Sequence, residues 1–91
     1  MDTDHQNETE RARRDLAQRL GVDTREIVIE SAESADFPDA ALGAPLEDEM
    51  SAQVITPGRR IRLRNGGNSY EYRAGNRQLR LVNFKGENYK I

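Results

Sequence analysis

The sequence predicts an α+β fold, with one N-terminal helix packed on a mainly antiparallel sheet of four or five strands. Three observations carry this. Ala12, Leu16 and Leu20 recur at i, i+4 and i+8, the apolar stripe of a helix that covers one surface. From Arg60 to Val82, apolar and polar residues alternate, broken only by two short Gly/Asn stretches of the kind that close hairpins. Between these regions, residues 37–58 hold all three prolines and show no period.

Ninety-one residues make one small domain, expected over 8–91 behind a polar, disordered tail at 1–7. With no Trp, two Phe and three Tyr, the core must be built mostly from Leu, Ile and Val. The absence of Cys excludes a disulfide or thiolate metal site. His5 lies in the tail beside Asp2 and Asp4, without the fixed geometry a metal needs, so no metal and no cofactor is expected. No apolar run has membrane-spanning length, and the first residues lack the basic start and apolar stretch of a signal peptide. The chain therefore reads as cytoplasmic, with no membrane partner.

The net charge of −2 conceals a split. Residues 1–58 carry five arginines and fourteen acids, and residues 59–91 carry nine basic side chains and two acids. Such asymmetry points either to a nucleic-acid face or to two halves that sit against each other.

In chain order, the helix is expected from Glu8 to Leu20, with Asn7 as N-cap and Glu10 three residues on. Glu10–Arg14 and Asp15–Arg19 are acid-first i,i+4 pairs, and Gly21 supplies a left-handed stop. Residues 23–26 make a turn, and Ile27 to Glu33 a first strand. Pro38 and Pro45 then forbid regular structure, Gly43 permits a bend, and 46–51 suits a helical turn. Gln53 to Thr56 reads as a short strand ending at a Pro57-Gly58 turn. Three alternating strands follow, and a last short one is expected around Lys85-Gly86.

Register in this meander is testable, because a slip of one residue swaps faces. A Gly66-Gly67 loop sets Leu63 opposite Tyr70 and Ile61 opposite Tyr72. A Gly75-Asn76 loop sets Tyr72 opposite Leu79 and Tyr70 opposite Leu81. Every apolar residue then falls on one face, and Glu71 lies between Arg62 and Arg80 on the other. The helix-then-meander order is cystatin-like.

The stretch Ala12–Tyr72 resembles a small prokaryotic domain of unknown function. Its members run as a helix ending in Leu-Gly-Val, then a strand, Trp-Pro-Asp-x-x-Leu-Gly-Cys-Pro, Gly-Met-x-Tyr-x-Gln-Val-x-Thr-Pro-Gly-Tyr-x-Ile-x-Leu and Tyr-x-Tyr-His. The matching residues here are Leu20-Gly21-Val22, Pro38-Asp39, Leu42-Gly43, Pro45, Met50, Gln53-Val54, Thr56-Pro57-Gly58, Ile61, Leu63, Tyr70 and Tyr72. Phe37 stands for the Trp, Ala44 for the Cys, Glu49 for the Gly before Met50 and Arg73 for the His. The resemblance implies the fold and no activity. The missing Cys fits an intracellular version.

The function expected is a non-catalytic binding or regulatory module that engages a protein through the Phe37–Gly58 loops. Leu42, Gly43, Gln53, Thr56, Pro57 and Gly58 are the candidate partner-binding residues. One alternative is nucleic-acid binding by Arg60, Arg62, Arg64, Arg73, Arg77 and Arg80 on the outer sheet face. Against it, both meander tyrosines point inward and Glu71 sits among the arginines. A second alternative is cystatin-like peptidase inhibition. Gln53 to Gly58 resembles the Gln-x-Val-x-Gly wedge, with one residue too many and an added Pro. No catalytic residue is assigned, because Ser31, Ser34, Ser51 and Ser69 lack a base and the Glu47-Asp48-Glu49 carboxylates are solvated. The chain is expected to be a monomer or weak homodimer.

Overall fold

The computed structural model describes residues 3–91, with side chains from Asn7 onward. Helix α1 spans Thr3–Leu20, followed by a single 3-10 turn at Thr24–Glu26. Five strands follow: β1 (Val28–Phe37), β2 (Thr56–Asn65), β3 (Asn68–Gly75), β4 (Gln78–Phe84) and β5 (Glu87–Lys90). They form one antiparallel meander in the order β1-β2-β3-β4-β5. The α+β class, the leading helix and the antiparallel sheet are as the sequence predicts. Of the expected disordered tail over 1–7, Thr3 to Asn7 lie in α1, while Met1 and Asp2 lie outside the described residues.

Helix α1 stops where Gly21 takes a left-handed φ of 70°. The Val22 amide then donates to the Ala17 carbonyl, and Gly21 to Gln18, which closes the helix with two of its orphan acceptors filled. Asn7 is an interior helical position rather than the N-cap, because the helix begins earlier than Glu8. Glu10 pairs with Arg13 instead of Arg14, whereas Asp15–Arg19 pairs as expected.

The helix covers one face of the sheet. Ala12, Leu16 and Ala17 pack with Ile27, Ile61, Leu63, Tyr72, Ala74, Leu79, Leu81 and Phe84 in one buried cluster. Each fully buried Leu or Ile contributes about 1.5–3 kcal/mol. Tyr72 is fully enclosed, and its hydroxyl donates to Asp15 at 2.7 Å. Burial, with Asp15 beside it, pushes the Tyr72 phenol above its ordinary range. Phe84 reaches this core because Asn83, at a φ of 51°, sits in a bulge that re-aims the strand after Leu81.

The β2–β3 hairpin closes on Gly66-Gly67 with Leu63 opposite Tyr70 and Ile61 opposite Tyr72, as expected. The next hairpin has its loop one residue later than expected, which shifts its pairing by two. Its loop is Asn76-Arg77, both at positive φ, so Tyr72 faces Leu81 and Ala74 faces Leu79. A two-residue shift leaves every side chain on its predicted face but changes its neighbours. Glu71 lies between Arg62 and Val82, and Arg80 faces Arg73. Gly75 is paired strand, not turn. A Cβ there would sit 2.9 Å from the Pro57 carbonyl oxygen and 3.2 Å from the Leu42 side chain.

The Pro57-Gly58 turn is likewise corrected. Strand β2 begins at Thr56 and runs straight through both residues, with Pro57 opposite Asp36 and Gly58 opposite Ala35 and Gly75. Pro57 lies beyond the end of the β3 pairing, so its missing N–H costs no ladder bond on that side. Gly58 is needed because a Cβ would collide with the Ala74 carbonyl. Residues 53–55 are not strand, β1 runs on to Phe37, and Lys85-Gly86 is the turn before β5 rather than part of it.

Candidate functional site

The second face of the sheet carries a row of basic residues directly opposite one another: Arg60, Arg73, Arg80 and Lys90 on β2 to β5. Like charges in this relation repel. Two carboxylates and an aromatic ring offset them. Glu71 bonds Arg73 at 2.7 Å, Arg60 at 3.2 Å and Arg62 at 3.3 Å. The Phe37 ring lies beneath the guanidinium groups of Arg73 and Arg60, at 5.2 and 5.8 Å.

The irregular segment 38–55 lies across this face. Having no ladder of its own, it must satisfy its backbone acceptors elsewhere. Side chains of the sheet do so in sequence: Gln78 donates to the Ala40 carbonyl, Arg73 to Leu42, Arg80 to Ala44 and Asn88 to Pro45. The segment's own bend is set by Asp39, whose carboxylate accepts from the Ala41 and Gly43 amides. Leu42 and Gly43 both take positive φ, 59° and 67°. A Leu held there costs about 1–2 kcal/mol. Complete burial of its side chain offsets this. Phe37, Ala41, Leu42 and Ala44 thus form a small second core on the arginine face.

Arg80 fastens the middle of the segment and is 2% exposed. Its Nε donates to Gln78, Nη1 to Ala44 and Glu49, and Nη2 to Glu49. The Glu49 carboxylate also accepts from the Leu46 amide, which closes one turn over 46–49. The bidentate Arg80 contact and that amide hold Glu49 at about 2, well below the ordinary carboxyl range.

Beyond Glu49 the segment swings outward. Met50 is 97% and Ile55 72% exposed, with Gln53 and Val54 exposed between them. Val54 and Ile55 border an open cavity of about 330 Å³, completed by Ala40, Thr56, Pro57 and Asn76. Chemically this outer strip offers apolar contact area and one amide side chain, on a main chain held by bonds of the Ala52 carbonyl to the Ala40 and Val54 amides.

The expected partner-binding set is therefore divided. Leu42 and Thr56 are buried, Gly43 lies against Arg73 and Pro38, and Gly58 lies against Ala74, while Gln53 and Pro57 face solvent. The alternative arginine set is divided as well. Arg80 is buried under the segment, and Arg60, Arg62 and Arg73 share Glu71. Arg64 and Arg77 are exposed, near opposite ends of the sheet. None of Phe37, Tyr70, Tyr72, Phe84 and Tyr89 is exposed for base stacking. The stretch likened to an inhibitory wedge has no hairpin tip, because Thr56–Gly58 is strand. Exposed Met50, Val54 and Ile55 were missed by sequence reasoning. Their only signal was apolar residues in an unperiodic stretch. Among the described residues no group of three or more metal-ligating side chains gathers, and no helix is long and apolar enough to cross a membrane.

Comparison with curated proteins and with solved structures returned no match. A family described as a domain of unknown function, DUF8738, matches residues 9–82, from the first turns of α1 to the end of the apolar part of β4. With most of its length inside that match, the chain belongs to the DUF8738 family of domains of unknown function.

Proposed function

We propose that the chain is a non-catalytic protein-interaction module, acting in the cytoplasm, whose partner surface is the outer strip of the 38–55 segment with Pro57. The supporting observation is the exposure of Met50, Val54 and Ile55 on a segment pinned at Glu49 and at Thr56. A floppy loop would be free to fold these side chains away. This one is fixed on both sides and presents them. Apolar area left in water forgoes about 25 cal/mol per Å². Exposed apolar residues on a scaffolded loop are a common form of interaction surface.

The test is a Met50→Ser, Val54→Ser, Ile55→Ser variant, compared with wild type by thermal unfolding and by capture from native lysate with and without nuclease. The expected result is an unchanged Tm, together with loss of a protein captured by wild type in a nuclease-resistant manner. A large fall in Tm would mean the three side chains are structural. A catch removed by nuclease and moderate salt would favour the arginine face.

A further inference from the structure

We propose that the outer edge of β1 is a docking strand for an extended, lysine- or arginine-bearing peptide, which adds a sixth strand to the sheet. This surface meets the Met50–Ile55 strip only at Pro57 and goes beyond the function proposed above.

Strand β1 is an edge strand ten residues long, hydrogen-bonded only to β2. Among the described residues no backbone group of a turn, loop or cap bonds its other side, and the one β1 carbonyl taken by a side chain is that of Ala32, which accepts from Arg59. The opposite edge, β5, is four residues long, and the Asn88 side chain there is already engaged with the Asn83 amide and the Pro45 carbonyl. Folded proteins blunt long edges with lysine, proline, bulges or covering loops, because a row of unpaired N–H and C=O groups templates strand addition. Strand β1 has one bulge, at Glu30, and neither proline nor any basic residue.

The chemistry of the edge selects the occupant. Glu33 and Asp36 are exposed, and no salt bridge among the described residues holds either. The arginine opposite Glu33, Arg60, is bonded to Glu71 instead. The neighbouring Arg59 donates to the Ala32 carbonyl. The Glu33 and Asp36 carboxylates are thus without a salt bridge to their own sheet among the described residues, while Glu30 accepts from the Ser69 hydroxyl. A cavity of about 350 Å³ lined by Ser34, Ala35, Asp36, Pro57 and Gly58 adjoins the C-terminal half of the edge, with room for one long side chain beside the Asp36 carboxylate. At the other end, Val28 and Ile29 are nearly half exposed on opposite faces, an apolar anchor for the first residues of an added strand.

A second copy of the chain fits poorly. The antiparallel register that sets Glu33 against its own copy also sets Glu30 against Asp36, and β1 has no cation to relieve the repulsion. An extended basic segment meets the same carboxylates with opposite charge. Its main chain supplies the affinity common to strand addition, and its side chains the choice of partner.

The test uses the full chain and a fluorescent probe peptide of valine with lysine at every third position, which matches the spacing of Glu33 and Asp36 on opposite faces of the strand, read by anisotropy and by amide hydrogen exchange. Three comparisons accompany it: the probe N-methylated at alternate residues, the same sequence with glutamate for lysine, and the variant Glu33→Lys, Asp36→Lys. The expected result is saturable binding that protects amides of residues 28–37. Binding should weaken about tenfold or more in each comparison, equivalent to about 1.4 kcal/mol. N-methylation leaves the protein untouched, so that arm holds even if the variant folds poorly. Absence of binding at millimolar probe, equal affinity for the N-methylated probe, or protection confined to other strands would each overturn the proposal. Sedimentation of wild type as a dimer that protects the same amides would overturn it in favour of a second copy.

Discussion

Replacing Glu49 by Gln tests whether the arginine face is an anchor. Arg80 keeps its bonds to Gln78 and Ala44 but faces an amide where a carboxylate held two of its nitrogens. Breaking a buried pair from one side costs about 3–5 kcal/mol. Glu49 is 24% exposed, and the remaining acceptors stay, so the expected loss is about 2–3 kcal/mol. In a domain of this size that lowers Tm by about 10–20 °C. The pH dependence has a defined sign. The folded chain holds Glu49 at about 2, below its ordinary 4.5. The unfolded chain therefore takes up the proton first, and the stabilisation is present above 4.5 and lost as pH falls towards 2. Urea unfolding followed by circular dichroism from neutral to acid pH should show wild type losing stability in that window and Glu49→Gln losing less. A double-mutant cycle with Arg80→Met should give a coupling of about 1–3 kcal/mol. A coupling near zero, or identical pH profiles for wild type and Glu49→Gln, would refute the anchor.

Gly58→Ala should cost about 3 kcal/mol or more, read as a fall in Tm, because its Cβ meets the Ala74 carbonyl and, at 3.1 Å, the Phe37 ring. Gly67→Ala, with nothing within 4 Å of the added carbon, should leave Tm unchanged. Glu71→Gln strips the shared counter-charge from Arg60, Arg62 and Arg73, for an expected loss of about 2 kcal/mol. Added salt should restore part of that loss by screening the exposed neighbours, and a salt-independent deficit would count against the mechanism. Tyr72→Phe removes the hydroxyl bonded to Asp15, for about 1–2 kcal/mol in chemical unfolding. The Tyr72 phenol titrates higher when folded, so wild type alone should lose this increment as pH rises past the ordinary 10.0.

What the sequence revealed and what it hid follow from range of interaction. The helix stripe, the faces of β2 to β4 and the first hairpin are local periodicities, and they are read from residues a few positions apart. The second hairpin loop lies one residue later than predicted, which shifts its pairing by two, because Gly75 looks like a turn residue. It is glycine for a different reason, the approach of Pro57 and Leu42 from distant parts of the chain. Gly58 misleads in the same way, since its contact with Ala74 crosses the sheet. The burial of Arg80 was equally hidden. In Gln78-Leu79-Arg80-Leu81-Val82 an arginine at an outward position signals solvent. Only the segment that covers it, more than thirty positions earlier, makes it interior. The acid–base asymmetry of the chain was the one available clue. It is realised in part, with Glu49 of the acidic half holding Arg80 of the basic half, while Glu71 neutralises its own neighbours.

The anchoring of the 38–55 segment changes how its outer residues should be weighed. Ala40, Leu42, Ala44 and Pro45 direct their carbonyls down to Gln78, Arg73, Arg80 and Asn88, and Leu42 accepts a left-handed backbone to fill the gap beside Gly75. Substitution there acts through the fold. Past Glu49 the ties are to the main chain alone: the Ala52 carbonyl accepts from the Ala40 and Val54 amides, and the Val54 carbonyl from the Thr56 hydroxyl. Met50, Gln53, Val54 and Ile55 lie outside the second core, on a segment whose path is already set by its two ends. A change in these residues should therefore alter what the module binds without altering how it folds. A stability screen paired with a capture assay across 40–57 separates the two classes. Residues 40–46 should lose both properties together, and 50–55 should lose capture alone. If 50–55 instead tracked stability in proportion, the strip would be part of the packing, and the interaction surface would have to be sought along the open edge of β1.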